Sequence, residues 1–413
     1  MLFVSMPVHA AETFSAYLFA FFKGNATVDE AIHFALSDDA HKFTALNSGK
    51  PILDSKKISL EGGVREPHIL RSENNDYLMV VPDMVSAKPS SSNRGLVLLR
   101  STNLIDWKSN AIHIPNTFSE YKSADRVWAP QTIYDHEAKK YMVYFAMRLG
   151  PNDKDKIYYS YADSTFTKLE TAPKLLYKYG NNSAIDADII YKDSLYYLFF
   201  KTEQSGNGIK SATSKKLTEG YVLYDKYLQL TSEAVEGSCV FKLNNSNTWI
   251  LMYDVYNSGK YEFATSTDLR NFTRDPKPVS FDFKPRHGTV MQITDAEKKA
   301  LLAKWNPTDI AGKQPSTVTR PFTCSLKGKM VELSFNKHVT NATVFLFDVS
   351  GKTVQQKIVS GTFATFDISG ISAGMYRIFF KTNTADVTDR RVIVWYKPTG
   401  TMKMALATWV STR

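Results

Sequence analysis

Two short motifs alternate along roughly the first three hundred residues, and that alternation constrains the fold more than any other feature. The first is a serine, a short polar turn and an aromatic six residues on: "SDDAHKF" from Ser37, "STNLIDW" from Ser101, "SYADSTF" from Ser160 and "STDLRNF" from Ser266. A weaker copy, "SKKLTEGY" from Ser214, has its aromatic one place later. Each copy follows an apolar strand such as "GLVLLR" or "KIYYSYA". The second series opens strands: "VREPHIL", "VWAPQTIYD", "IDADIIYKD", "VEGSCVFK" and "PRHGTVMQI". After four of these comes a long aromatic strand: "DYLMVV", "KYMVYFA", "SLYYLFF" and "TWILMYDVY". The fifth lacks one, and the N-terminal "AYLFAFF" is free to supply it.

Repeated β units of this length bury their faces by stacking around an axis, the logic of a β-propeller. The expectation is therefore all-β: a five-bladed β-propeller over residues 12–305, its last blade closed by strands from both ends. "TDAEKKALLAKW" reads as a short helix opened by a capping box of Thr294 with Glu297. Residues 306–321 contain Pro, Thr and Gly and read as a linker. Residues 322–397 alternate apolar and polar residues and read as a small C-terminal β-sandwich; residues 398–413 have no clear period.

The 22 Tyr and 25 Phe suit strands and also offer flat faces for sugar rings. The net charge of +10 raises nucleic acid as a partner, but the basic residues are scattered and no nucleic-acid-binding signature accompanies them. Nucleic acid is not expected. A soluble surface or a liking for acidic polysaccharide accounts for the charge. Cys239 and Cys324 fall in different expected domains, which excludes a disulfide framework. No apolar stretch is long enough for a transmembrane helix. "MPVHAA", after a short apolar stretch, resembles the cleavage region of a secretory signal peptide, so residues 1–11 are expected to be its remnant.

In a propeller the innermost strands converge on the axis. Reading the second series at its strand starts gives Glu66, Gln131, Asp186, Glu236 and His287, expected at one shared place in each blade. Asp188, two residues after Asp186, is expected to share its face. Glu66 also has a plain reading, a surface ion pair with Arg65. Acids held together raise one another's pKa, which suits one as general acid and another as base. Glycoside hydrolysis is the reaction most often served by such a pair.

These five motifs, in this order, resemble glycoside hydrolase family 43, the arabinofuranosidase- and xylosidase-like propeller glycosidases. The resemblance implies an inverting, exo-acting enzyme on α-L-arabinofuranosides, β-D-xylosides or galactofuranosides. It implies Glu236 as general acid and Asp186 as the residue that holds it and tunes its pKa. It places Glu66 where the family has an aspartate base. Arg65, Trp128, Gln131, Asp188 and Arg286 are expected around the sugar, although Gln131 stands where the family commonly has Glu. His287 matches an axial histidine that in many members helps hold calcium through water. No cofactor is required by the mechanism, so a structural Ca2+ is the one ion implied.

The extra methylene of Glu66 displaces the carboxylate by roughly 1 Å, enough to cost on the order of 100-fold in rate. A weakened or inactive carbohydrate-binding propeller is therefore the alternative. A sialidase repeat needs a glycine absent here, and no arginine triad is assignable; a fructan-hydrolysing propeller needs an Asn-Asp-Pro motif near the N-terminus, which is also absent. The segment "VFLFDVSGKTVQQKIVSGTFATFDISGISAGMYRIFF" resembles the type IX secretion sorting domain. That resemblance implies contact with secretion machinery and a secreted or cell-surface protein, with the periplasm as a further location.

Overall fold

The computed structural model describes residues 13–89, 92–204, 206–306, 322–327, 329–348, 352–372, 374–381, 386–395 and 403–405. The chain divides into two compact units, Met1–Ala311 and Gly312–Arg413. The expected signal remnant at 1–11 and nearly all of the expected linker lie outside the described residues.

The first unit opens with β1 (Phe14–Phe22), β2 (His33–Ser37) and β3 (Lys42–Ala45). Four blades follow. Blade one holds β4 (His68–Arg71), β5 (Tyr77–Asp83), β6 (Gly95–Ser101) and β7 (Lys108–His113). Blade two holds β8 (Arg126–Asp135), β9 (Lys140–Arg148), β10 (Lys156–Tyr161) and β11 (Lys174–Tyr177). Blade three holds β12 (Ala184–Lys192), β13 (Leu195–Thr202), β14 (Ile209–Ser214) and β15 (Val222–Tyr224). Blade four holds β16 (Glu236–Lys242), β17 (Trp249–Val255), β18 (Lys260–Ser266) and β19 (Thr273–Arg274). The fifth joins β20 (Ser280–Phe281) and β21 (Arg286–Thr294) to the first three strands, in the order β20-β3-β2-β1-β21. Tyr17 faces Gln292 and Phe19 faces Val290, so the chain start closes the last blade as its sequence predicts.

The inner strands β4, β8, β12, β16 and β21 touch one another in cyclic order, which closes the ring. Five apolar clusters lie between neighbouring blades. Strand β5 shows why its run is apolar throughout: Leu78 and Val80 pack toward blade two, Met79 and Val81 toward blade five. Each blade thus has two buried faces and depends on both neighbours.

The serine motif has a local cause. Ser37, Ser101 and Ser266 end third strands, and each side chain meets Asp39, Asn103 or Asp268 two residues on, at 3.0, 3.1 and 2.9 Å. The same Asp or Asn accepts two backbone N–H groups of the turn. Helix α1 (Asp295–Trp305) carries the expected capping box of Thr294 and Glu297. Glu297 also accepts from Arg71 at 2.7 Å, tying the helix to blade one.

The inner strands share a second device. His68, Gln131, Asp188, Cys239 and Thr289 occupy the same register in the five blades. Four of them accept a backbone N–H of the next blade directly. Thr132 N donates to His68 Nδ1 at 3.2 Å, Val240 N to Asp188 Oδ2 at 2.6 Å, Val290 N to Cys239 Sγ at 3.4 Å and Ile69 N to Thr289 Oγ1 at 2.9 Å. Gln131 reaches Ile189 N through the Tyr144 hydroxyl, at 2.9 and 3.0 Å. This belt answers the backbone donors that a closed ring of twisted sheets leaves facing its neighbours.

The second unit comprises β22 (Phe322–Lys327), β23 (Met330–Asp348), β24 (Thr353–Asp367), β25 (Gly374–Lys381), β26 (Asp386–Trp395) and β27 (Lys403–Ala405). They form one hydrogen-bonded sheet. The register of β23 against β24 shifts between Ser334 and Ala342. Both ends of β23 feed one core, with Val331 and Leu333 beside Val344 and Leu346. The expected sandwich is thus a single sheet whose two long strands serve both halves. Within the expected tail at 398–413, β27 pairs with β26, and the other residues lie outside those described.

Candidate active site

The site lies where the five inner strands begin. In each of blades one to four a residue near that start has left-handed backbone: Glu66, Ala129, Asp186 and Gly237, with φ of 45, 43, 51 and 65°. In blades two, three and four the ladder slips there, between Trp128 and Gln131, Ile185 and Asp188, and Glu236 and Cys239. These bulges re-aim the strand ends toward the axis. They also correct the shared place expected for the five residues. Glu66, Asp186 and His287 occupy the left-handed level or its counterpart, Glu236 stands one residue earlier, and Gln131 two residues later in the belt. A bulge adds a residue, so counting from the apolar run slips by one or two.

Asp186, on β12, is 4% exposed. Its Oδ2 accepts from Gly237 N at 3.0 Å and lies 3.9 Å from His287 Nδ1. Ser238 Oγ donates to the Asp186 carbonyl at 3.0 Å. Burial pushes the Asp186 carboxyl up to about 6; His287 and Lys201 oppose the rise, and the Glu66 and Glu236 carboxylates add to it. The acids of blades one, three and four therefore act on one another across the axis.

Glu236, the first residue of β16, is gripped by two cations. Arg286 Nη2 donates to Oε1 at 2.5 Å and Lys201 Nζ to Oε2 at 3.5 Å. Burial works upward on this carboxyl, but Lys201 and Arg286 outweigh it and hold it below its usual value. The protein's own cations thus hold Glu236 toward its charged form, whereas a general acid must carry its proton before reaction. Arg286 is in turn fixed by fully buried Asp254, its Nε donating at 2.6 Å. Burial lifts Asp254 to about 6 against the pull of Arg286.

Lys201 and Asp254 are the site residues that sequence reasoning missed. Lys201 is 4% exposed at the end of β13, beside Glu203 at 3.0 Å and over the Tyr256 ring at 5.2 Å. Burial works to lower its pKa, but Asp186, Glu236 and Glu203 outweigh that and raise it. A signal was present: "SLYYLFFKT" and "WILMYDVY" each carry one charge in an apolar strand, and buried charges are paired.

The other expected residues have partners of their own. Arg65 does not pair with Glu66. Its Nη1 lies 3.6 Å from Glu30 Oε1, and its guanidinium covers the Phe22 ring at 4.5 Å. Trp128 is half-buried with Arg126 over its ring at 4.2 Å. Gln131 and Asp188, expected at the sugar, are buried in the belt. Among the described residues no group of three or more His, Cys, Asp or Glu side chains is placed to hold a metal ion. His287 would have to hold the implied calcium through water.

Burial pushes the Asp188 carboxyl up to about 7, with the Val240 N–H and His287 opposing. Its folded pKa is above the unfolded value, so its contribution to stability is full below about pH 4. That contribution is lost as pH rises through about 7. Asp188→Asn keeps an oxygen for Val240 and removes the buried charge. The variant is expected to melt close to the parent at pH 4 and higher than the parent at pH 8. An equal gap at both pH values would refute this.

A family model described as "Probable glycosyl hydrolase domain", related to glycosyl hydrolase family 43, matches residues 12–299. The chain belongs to this family of glycoside hydrolases. A second model, a domain of unknown function (DUF3244), matches residues 306–390. Among curated proteins, an alpha-L-arabinofuranosidase of Bifidobacterium longum subsp. longum is 26% identical over 223 residues, covering 49% of this chain. The match spans 20% of that longer protein. Among solved structures, an endo-1,4-beta-xylanase from Bacteroides thetaiotaomicron VPI-5482 shares 14% identity at a TM-score of 0.47, covering 65% of this chain and 96% of that one. The GH43 protein BlXynB from Bacillus licheniformis shares 12% at a TM-score of 0.43, covering 97% and 89%. Family membership rests on the sequence model. Among the described residues no helix is long and apolar enough to cross a membrane.

Proposed function

We propose that this glycoside hydrolase is an inverting exo-enzyme that removes terminal α-L-arabinofuranosyl, β-D-xylosyl or galactofuranosyl units from plant or microbial polysaccharide. The observation that carries the reading is the cluster of Glu66, Asp186 and Glu236 from three blades, interacting across the axis and countered by Lys201 and Arg286. In the proposed mechanism Glu236 protonates the leaving oxygen and Glu66 draws a proton from the attacking water. Asp186 holds the Gly237 amide beside Glu236 and tunes the pKa of that acid through its own charge. The similarity to an arabinofuranosidase supports the arabinofuranosyl choice. The signal-like start and sorting-domain-like segment support export to the surface or medium, with secretion machinery as a partner.

The test is hydrolysis of aryl α-L-arabinofuranosides, β-D-xylosides and β-D-galactofuranosides, with NMR of the first anomer released. Release of the inverted anomer from one substrate is the expected result. Retained configuration would sink the mechanism, and silence on the whole panel would favour the sugar-binding alternative. That alternative rests on Glu66, whose left-handed backbone costs a non-glycine residue roughly 1–2 kcal/mol. If the site is built around Glu66, Glu66→Asp is expected to lower kcat about 100-fold. A rise in kcat would mark the natural glutamate as a lesion.

Lys201 supplies a pH prediction. Removing a cation 3.5 Å from Glu236 lets that carboxyl hold its proton to higher pH. Lys201→Met is expected to move the alkaline limb of the kcat/KM profile upward by about one unit. An unmoved or lowered limb would count against Glu236 as the acid.

A further inference from the structure

We infer that the rim of the fifth blade holds a second sugar-binding place, selective for an anionic sugar unit bearing a carboxylate or a sulfate. The inference rests on the proposed function, because it names the substrate class of the same face. Strand β1 ends at Phe22, opposite Arg286, and the buried Phe22 ring lies against both Arg65 and Arg286, at 4.5 and 5.7 Å. Lys23 then leaves the strand. On the other arm Phe283 stacks on Phe21 at 4.4 Å, and Lys284 follows. Between the arms lies a cavity of about 400 Å³, its wall including Lys23, Lys284, Phe283, Ser48 and the Gly49 backbone. Lys284 stands two residues before Arg286, roughly 6–7 Å of extended chain. The cavity therefore lies at the end of blade five from which Arg286 reaches Glu236.

Charge sets this cavity apart. Arg286 and Lys201 are matched to carboxylates, as are Arg148 and Lys156. Neither Lys23 nor Lys284 meets a carboxylate among the described residues. The Lys23 ammonium is half-buried and donates to the Gly49 carbonyl at 3.4 Å. Asp282, also in the wall, has Oδ1 occupied by the Ala45 N–H at 2.9 Å. The wall thus carries two cations and one carboxylate, a net positive charge.

His33, 2% exposed and stacked on Phe21 at 5.4 Å, lies against Lys23 and the Gly49 and Lys50 backbone, and burial lowers its pKa to about 4, so it adds no charge beside the cavity. Phe283 offers a face for a sugar ring, Ser48 a hydroxyl, and the lysines a charge-assisted grip on an anion. A neutral glycan leaves both cations unanswered.

The test uses the full chain with Glu236→Gln, so that binding is read without turnover. Three oligosaccharides of equal length are titrated at low salt: one neutral, one with a uronic acid unit, one sulfated. At least one acidic ligand is expected to bind about tenfold tighter than the neutral one, with the preference shrinking at high salt. Which anion wins identifies carboxylate or sulfate as the natural group. Lys284→Gln alone, at an exposed position, is expected to weaken the preference, and Lys23→Gln with Lys284→Gln to abolish it while neutral affinity stays. Equal affinity for all three ligands, or a preference that survives the double substitution, overturns the inference. Failure of the parent to hydrolyse any glycoside would sink the proposed activity but leave this binding comparison decisive.

Discussion

Glu236→Gln is expected to lower kcat about 100- to 10,000-fold on substrates with poor leaving groups. Gln keeps the shape and the contact with Arg286 but has no proton to give. The loss should depend on the leaving group. An aryl glycoside whose phenolate departs without protonation should lose little, whereas an alkyl glycoside or natural oligosaccharide should lose the full factor. A uniform loss across leaving groups would mean that Glu236 shapes the site without donating a proton. The grip of Lys201 and Arg286 makes this comparison informative, because it holds the free carboxyl below its ordinary pKa. Substrate must therefore relieve that grip before Glu236 can carry a proton.

Gly237→Ala carries the largest expected stability effect. Gly237 has φ of 65°, and an added Cβ would come within 2.6 Å of the His287 ring. The left-handed backbone costs an alanine roughly 1–2 kcal/mol. Overpacking against a buried ring adds about 1–3 kcal/mol. A loss of about 2–5 kcal/mol is expected in urea unfolding. The same residue donates its N–H to Asp186, so activity should fall together with stability. A fully stable variant would show that His287 can move away freely.

The blades were legible because their signals are local. Serine followed two residues later by Asp or Asn ties a turn within a few residues, and "KYMVYFA" reads as a strand apolar on both faces wherever it lies. Closure by "AYLFAFF" was legible because only the last blade lacked a strand. The identities of Glu66, Asp186 and Glu236 were legible as charges at the mouths of apolar strands. Their exact levels were not. Left-handed residues at Glu66, Asp186 and Gly237 shift the count, and a bulge leaves no unambiguous mark in composition.

Partner choice was illegible for a different reason. Arg65 is adjacent to Glu66 in sequence yet sits beside Glu30, and Arg286 of blade five reaches Glu236 and Asp254 of blade four. Gln131 and Asp188 carry the chemistry of sugar contacts, but their neighbours are the next blade's Tyr144-bridged and Val240 amides. The order of the strands, the closure of the ring and the kinds of side chain at its axis follow from periodicity and turn chemistry, which act over a few residues. Which carboxyl is raised and which is lowered, which cation answers it and which polar groups vanish into the belt depend on distances between residues tens to hundreds of positions apart. Those distances exist only once the five sheets have closed, because Coulomb interaction and desolvation depend on separation in space and on burial, not on order along the chain.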